Sequence, residues 1–391
     1  MESDLMFEEL IVDVPLVMEP EQWPECCIYR VPKNLRQINK EAYSPKLISI
    51  GPFHHGKEEV RDMEKLKVRY LKGILVIEEN EAKIRRCYEE IFDISSENFV
   101  KMVLLDSTFI IELFLRANDK DKYKKDYMSR RNGDDSFFTL ASEYFTLYIK
   151  KIPAENNKVK HFTDLIRYSR CPRSELKFKD RKCDLYSATK LHAAGVVFKV
   201  NDKEGSPDIK FEKSQPLNIC PCFTCLWLLN WLPCLKCFWC LERMQPLLKL
   251  PSITIDDGTE GLLRNIMALE QCHYPFEAYT CNYMLLLDYL IDTSEDVDLL
   301  VKEKSIANAL GSNEAVASMV NKLSLEIVEI NSCYADLARD LNAHYNQCCN
   351  HNMASLRSIY FADVWRGTAT IVGLIVFGFT FWNTIRPYVI K

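Results

Sequence analysis

Residues Gly367–Ile385 read GTATIVGLIVFGFTFWNTI, and this stretch decides how the chain is organised. It contains 19 residues without a charged side chain. As an α-helix it would extend about 28 Å, which is close to the hydrocarbon thickness of a bilayer. Residues suited to a membrane interface lie at its two ends: Trp365, Arg366, Trp382, Arg386 and Tyr388. We therefore predict one transmembrane helix over residues 364–386, with a buried core helix as the alternative.

The position of this stretch predicts how the chain lies across the membrane. Only a few residues follow it, so the ribosome would release the chain before the segment emerged. The acidic N-terminal segment, residues 1–27, lacks the positive start and unbroken apolar run of a secretory signal. No Asn-x-Ser/Thr glycosylation acceptor occurs either. We expect a tail anchor in the plasma membrane or the endoplasmic reticulum, with the N-terminal bulk in the cytosol and Lys391 across the bilayer.

The composition is that of a globular protein rich in helices. Of 391 residues, 48% are hydrophobic and 27% are charged, and the 12 glycines leave few tight turns. The net charge of −5 argues against a general nucleic-acid binder, which needs a basic surface. In a reducing compartment the 16 cysteines are expected to remain thiols.

The apolar periodicity predicts one mainly α-helical domain over residues 28–362, with a small β hairpin. The predicted helices are Lys57–Leu75, Phe99–Arg116, Phe137–Ile152, His161–Tyr168, Ser187–Ala194, Thr259–Cys272 and Ala278–Ile291. Strands are predicted at Val196–Val200 and Asp208–Phe211, which would form the hairpin, and a third is predicted at Ile253–Ile255.

Residues Asn313–Tyr345 form the longest periodic run outside the apolar stretch, and they predict one long helix. The apolar positions alternate steps of four and three, as in a heptad seam: Val316, Val320, Leu323, Ile327, Ile330, Tyr334, Leu337 and Leu341. The seam allows a dimerising coiled coil or a long helix packed against its own domain. The charges beside the seam are irregular, which favours internal packing.

We find no motif typical of catalysis or cofactor binding. The patterns GxxxxGK[ST], GxGxxG, HExxH and GxSxG are absent. His54 and His55 most resemble catalytic residues, but no nearby carboxylate or cysteine completes a site. Asp256 and Asp257 precede a predicted helix, whose N-terminus favours negative charge. We predict hydrogen-bonded loop histidines, no cofactor and no enzymatic activity.

The most unusual segment, Leu217–Leu241, reads LNICPCFTCLWLLNWLPCLKCFWCL. Four cysteines have the paired spacing of a zinc site, although the interval between the pairs is short and apolar: Cys222, Cys225, Cys234 and Cys237. Three cysteines spaced by three would share one helix face and are candidates for acylation: Cys234, Cys237 and Cys240. Prolines and a lysine within the segment oppose a second membrane span. A buried hairpin and a hairpin resting on the bilayer are the two remaining interpretations.

Several motifs occur in the order found in a known plant family. They are YSPKLISIGPFHHG (Tyr43–Gly56), MEKLKVRYL (Met63–Leu71), SATKLHAAGVVFKV (Ser187–Val200), IDDGTEGLLRNIMALEQCHYP (Ile255–Pro275) and DYLIDTSEDVDLLV (Asp288–Val301). Over most of its length the chain resembles the plant-specific family called domain of unknown function 247, whose pattern includes a terminal membrane helix. The resemblance implies a mainly helical, tail-anchored plant protein without known catalytic activity. Some members look like determinants of self-incompatibility or reproductive recognition in grasses.

The chain departs from that family's pattern in two places. Region Asp119–Pro153 lacks the usual L-E-N-Q-[IL]-P core and is shortened. The segment Leu217–Leu241 stands as an insertion before the motif that begins at Ile255. A membrane span in that insertion would place two halves of one family domain on opposite sides of a membrane, which argues against it.

The leading functional hypothesis is a membrane-tethered interaction or recognition protein, acting in signalling or reproductive recognition. Its expected partners are the lipid bilayer and an unidentified protein. Two alternatives remain. One is a structural membrane adaptor that dimerises through Asn313–Tyr345, and the other is an enzyme with an unfamiliar site near His54 and His55.

Overall fold

A computed structural model describes much of the chain, with gaps. The described residues are 25–45, 49–55, 77–117, 135–145, 159–171, 176–180, 184–201, 208–212, 246–347, 360 and 364–389. The chain divides into two compact units. The first unit is Met1–Arg30 with Pro45–Leu113, and the second is Val31–Ser44 with Phe114–Lys391.

The described residues are mostly helical, which confirms the predicted fold class. The α-helices are α1 Lys33–Ile38, α2 Ile77–Arg86, α3 Ser96–Ala117, α4 Asp135–Tyr144, α5 Phe162–Arg170, α6 Ala188–Ala193, α7 Thr259–His273, α8 Tyr279–Leu290, α9 Ser294–Lys302, α10 Asn313–Leu323, α11 Ala335–Tyr345 and α12 Val364–Val389. Two short 3₁₀ turns occur at Glu41–Tyr43 and Pro52–His54. The helix predicted at Lys57–Leu75 lies outside the described residues.

The strands pair differently from the predicted hairpin. They are β1 Val197–Val200, β2 Lys210–Glu212, β3 Leu247–Leu250, β4 Ile253–Ile255 and β5 Ile306–Asn308. β3 lies between β1 and β2, parallel to the first and antiparallel to the second, so β1 and β2 do not pair with each other. The hairpin prediction was therefore wrong. β4 pairs in parallel with β5 in a separate two-stranded sheet.

Burial explains why β3 takes the central position. Leu248 and Leu250 are each 1% exposed, and Phe198 opposite Leu248 is fully buried. β2 is largely exposed, as its charged ends Lys210 and Glu212 require. A strand with two buried apolar side chains is stabilised most at the centre of a sheet, where neighbouring strands pair with both of its edges.

The core of the second unit lies where α7 to α11 pack around the two sheets. Eight of its fully buried residues come from four successive helices: Ile266, Leu286, Leu290, Val297, Leu300, Val316, Val320 and Leu323. Side-chain caps fix where two of these helices begin. The Ser312 hydroxyl accepts a hydrogen bond from the Ala315 N–H (3.1 Å), and Thr293 and Asp296 form a capping box at the start of α9.

The run Asn313–Tyr345 is two helices rather than the one long helix we predicted. α10 ends at Leu323 and α11 begins at Ala335. Between them Glu326 takes a left-handed backbone conformation (φ 63°), which a continuing helix cannot accommodate. Most seam positions still face the unit's own core, so the apolar period persists across the break. Ile330 is the exception, at 45% exposed.

The first unit is held by a short parallel bridge and a buried carboxylate. Ile28 pairs with Tyr88 in that bridge. The carboxylate of Asp106 on α3 accepts a hydrogen bond from the Gly51 N–H at 2.7 Å. Gly51 has φ 76°, and a Cβ there would meet the Tyr88 hydroxyl at 2.8 Å, so both backbone and space require glycine.

Candidate membrane helix and protein-binding surface

Helix α12 is long and apolar enough to cross a membrane. The span Trp365–Arg386 has 22 residues and a mean hydropathy of 1.5, and none of its most apolar window is buried within the chain. A core helix would instead cover such a surface with other parts of the protein. The exposed apolar surface of α12 therefore distinguishes it from the core helix of a soluble domain.

The residues predicted at the membrane interface lie on or within this helix. Trp365 is 85% exposed and Trp382 is 56% exposed. Arg366 and Arg386 are also exposed. Tyr388 belongs to the last turn of the helix, since α12 runs to Val389.

Three threonine hydroxyls inside α12 are satisfied by the backbone of the helix itself. The hydroxyls of Thr370, Thr380 and Thr384 each donate a hydrogen bond to the carbonyl four residues earlier, at 2.8 Å. In an apolar solvent every polar group needs such a partner, because water is absent. These threonines therefore oppose membrane insertion less than free hydroxyls would.

A second exposed apolar surface lies on the helical domain. Among the described residues from Phe114 to Gln347, four large apolar side chains are exposed: Phe276 (67%), Leu325 (51%), Val328 (65%) and Ile330 (45%). All four lie on two segments that touch each other, residues 274–277 and 324–331. The Asn331 side-chain amide donates to the Phe276 carbonyl (3.2 Å), and the Val328 N–H donates to the Gln271 side-chain oxygen (3.4 Å). We name these four residues the apolar patch.

Buried contacts on both sides hold the segment that carries three of the patch residues. At its start Leu323 is fully buried. At its end Ser332 exchanges two backbone hydrogen bonds with Lys179 (2.9 and 3.0 Å), and the Cys333 N–H donates to the Asn282 side chain (2.9 Å). The apolar side chains are thus presented by an anchored segment, which lowers the entropic cost of binding.

A buried ionic network positions the other patch segment. Arg167 on α5 and Glu270 on α7 are 1% and 0% exposed, and their charged atoms lie 3.3 Å apart. The Arg167 guanidinium also donates to the Glu277 carbonyl (2.7 Å) and stacks 3.9 Å from the centre of the Tyr274 ring. The turn that bears Phe276 is therefore fixed on both sides.

Glu270 also joins α7 to α8. Its carboxylate accepts hydrogen bonds from the Thr280 N–H (3.0 Å) and the Cys281 N–H (2.9 Å), which lie in the first turn of α8. Burial raises the pKa of Glu270, while Arg167 and the two N–H donors lower it. With both charged side chains almost fully buried, this network is a structural clamp rather than an open site.

His54 and His55 lie in the first unit, at the end of a 3₁₀ turn. His54 is half-buried and His55 is exposed. Within the described ranges, no group of three or more histidine, cysteine or acidic side chains is arranged to hold a metal ion. The enzyme hypothesis stays untested by this geometry.

The candidate zinc and acylation residues cannot be placed in the fold. Cys222, Cys225, Cys234, Cys237 and Cys240 all fall within residues 213–245, outside the described part of the chain. Zinc binding and acylation therefore stay predictions.

Sequence reasoning missed the apolar patch. The heptad pattern assigns Ile330 to the predicted seam, and no sequence pattern predicts that Phe276 is exposed. The sequence gives no clear signal for the patch: Ser324–Asn331 reads SLEIVEIN, and its two glutamates are three positions apart, as on one face of a helix.

Comparison with known proteins shows the family to which the chain belongs. A family model described as a plant protein of unknown function, DUF247, matches residues 28–141 and 127–379. The chain belongs to the DUF247 family. The matched region ends at residue 379, within α12, so it includes the first part of the apolar helix. The two matched stretches overlap at residues 127–141, within the region Asp119–Pro153 that lacks the expected core motif.

Two curated relatives of this DUF247 member come from Arabidopsis thaliana. "UPF0481 protein At3g47200" is 24% identical over 419 residues, covering 92% of this chain and 86% of the relative. "Putative UPF0481 protein At3g02645" is 33% identical over 466 residues, covering 89% and 88% respectively. No solved structure matches the chain significantly.

Proposed function

We propose that this protein is a membrane-tethered interaction protein without catalytic activity. One observation carries the proposal. In the described residues from Phe114 onward, large apolar side chains are exposed only on the apolar patch, at Tyr360 and on α12. Large apolar side chains that are exposed together on neighbouring segments, rather than singly, are typical of binding surfaces. α12 would bury its surface in a bilayer, and the apolar patch would bury its surface against another protein.

The proposed topology is a tail anchor with the helical domains in the cytosol. The family match and the apolar character of α12 support membrane attachment. The plasma membrane and the endoplasmic reticulum are the favoured locations. Within the family, recognition during signalling or reproduction is the proposed biological setting.

The adaptor alternative loses its main support. A coiled-coil dimer needs an exposed seam, whereas Val316, Val320 and Leu323 are fully buried within their own unit. Dimerisation through Asn313–Tyr345 would therefore expose part of the core. No observation favours it over the apolar patch.

Proximity labelling in plant cells tests the proposal. The full chain would be compared with Val328→Asp/Ile330→Asp, which alters two exposed patch positions and leaves α12 intact. Ile91→Asp, at a residue 85% exposed in the first unit, is the matched control. We expect both variants at the membrane, and the patch variant alone to lose specific labelled proteins. Identical labelled sets for all three proteins would overturn the proposal.

A further inference from the structure

The two segments that carry the apolar patch are strongly acidic. Residues 274–277 and 324–331 contain three glutamates and neither lysine nor arginine. Glu277 and Glu326 are exposed, and Glu329 is half-exposed. Within the described residues, neither Glu277 nor Glu326 forms an ion pair, and the one side-chain contact recorded for Glu326 is a neutral hydrogen bond from Asn34 (3.2 Å). Among the residues that the structure describes, the Glu277 and Glu326 carboxylates therefore have no ion-pair partner beside the exposed apolar side chains.

The backbone holds one of these carboxylates at a conformational cost. Glu326 has φ 63°, a conformation that glycine adopts without strain and other residues seldom adopt. The Asn34 amide then fixes the direction of the Glu326 carboxylate. Strain retained at a position that bears a fixed, exposed charge is typical of binding surfaces.

We propose that the apolar patch binds a basic segment of another protein, with lysine or arginine interleaved among apolar residues. This inference rests on the proposed function and names the chemistry of its partner. Apolar side chains of the partner cover Phe276 and Val328, while its cations pair with Glu277 and Glu326. Charge complementarity of this kind sets partner choice and speeds association.

The same charges argue against other occupants. A second copy of the chain would bring its own Glu277 and Glu326 against the patch, and like charges at an interface cost several kcal/mol. The cytosolic leaflet of a membrane is anionic and would repel the carboxylates. A nucleic acid is excluded on the same ground, since its phosphates require a basic surface.

A selection with random peptides tests the partner's chemistry without choosing it in advance. The full chain, purified in detergent, would be panned against a phage-displayed library of random 12-residue peptides. Peptides that also bind the Val328→Asn/Ile330→Asn variant would be removed. Both substitutions are at exposed positions, and a thermal unfolding curve for each protein checks that the fold is retained.

The composition of the peptides that depend on the patch decides the outcome. We expect enrichment of lysine and arginine among apolar residues, with affinity that falls as salt is raised. Enrichment of neutral or acidic peptides would overturn the basic-partner inference but keep the proposed function. A selection that yields no patch-dependent peptide would overturn both.

Single substitutions of the carboxylates provide a second measurement. Glu277→Gln and Glu326→Gln should each weaken a selected peptide about three- to tenfold, as expected for loss of one partly exposed charge pair at an interface. Glu314→Gln, at an exposed glutamate of α10 outside the patch segments, should leave the affinity unchanged. Equal affinities for all three variants and the parent would contradict the role given to the carboxylates.

Discussion

Replacing Glu270 with alanine tests the buried clamp that positions the apolar patch. The substitution removes the ion pair to Arg167 (3.3 Å) and the acceptor for the Thr280 and Cys281 N–H groups. Those two N–H groups lie in the first turn of α8, where no carbonyl of the same helix can accept from them. The change therefore leaves the two buried N–H donors without their acceptor, and it leaves Asp164 (3.9 Å away) as the only carboxylate paired with Arg167 among the described residues.

The expected loss can be estimated from these contacts. Removing one partner of a buried ion pair costs about 3–5 kcal/mol. Each orphaned buried N–H adds about 1 kcal/mol or more. Because Arg167 keeps its bond to the Glu277 carbonyl and its contact with the Asp164 carboxylate (3.9 Å), and because the terms overlap, we expect a total of about 3–5 kcal/mol. That is comparable with the whole stability of many domains.

Urea unfolding of the full chain in mild detergent, followed by circular dichroism, measures this loss. Asp298→Ala is the control, because Asp298 and Lys302 form an exposed pair one helical turn apart. Such pairs contribute about 0.3–0.5 kcal/mol. A loss below about 1 kcal/mol for Glu270→Ala would refute the clamp, since the Thr280 and Cys281 N–H groups would both lose a buried acceptor.

Three further predictions follow from burial and charge. Leu323→Asp should lower the free energy of unfolding by several kcal/mol, whereas Ile330→Asp should change it by less than about 1 kcal/mol, because only the first residue is buried; urea unfolding compares them. Burial raises the pKa of Glu270 in the folded state, so the free energy of unfolding of the parent should fall relative to that of Glu270→Gln as pH rises above about 4. Urea unfolding curves at a series of pH values measure this difference, and a difference that rises with pH would contradict the prediction. If cysteines in residues 217–241 are acylated, the parent but not its cysteine-to-serine variant should carry a hydroxylamine-sensitive label. Stoichiometric zinc in the parent that is lost in the same variant would instead indicate a zinc site.

Local sequence patterns predicted several helices well, although α1, α2 and α9 were not among the predicted helices. α7 and α8 were located to within a residue or two, because each has an apolar face and a break at Pro275 lies between them. The span of α12 was predicted from its length and lack of charge alone. These features depend on neighbouring residues, which a sequence displays directly.

Features that depend on distant residues were missed. β1 pairs with β3, whose first residue follows the last residue of β1 by 47 positions, so the hairpin between β1 and β2 looked favourable from local spacing. The break after Leu323 was hidden because both flanking helices keep one apolar period. The apolar patch was missed because exposure of Phe276 and Val328 depends on which segments cover them.

Membrane attachment through α12 is the central claim, and carbonate extraction followed by flotation tests it most directly. The full chain would be compared with a chain ended after Asp363, both expressed in plant cells. We predict that the full chain resists extraction and floats with lipid, because its apolar span supplies most of the membrane affinity. The shortened chain should stay soluble and folded. Extraction of the full chain by carbonate, or flotation of the shortened chain with the membranes, would contradict the account.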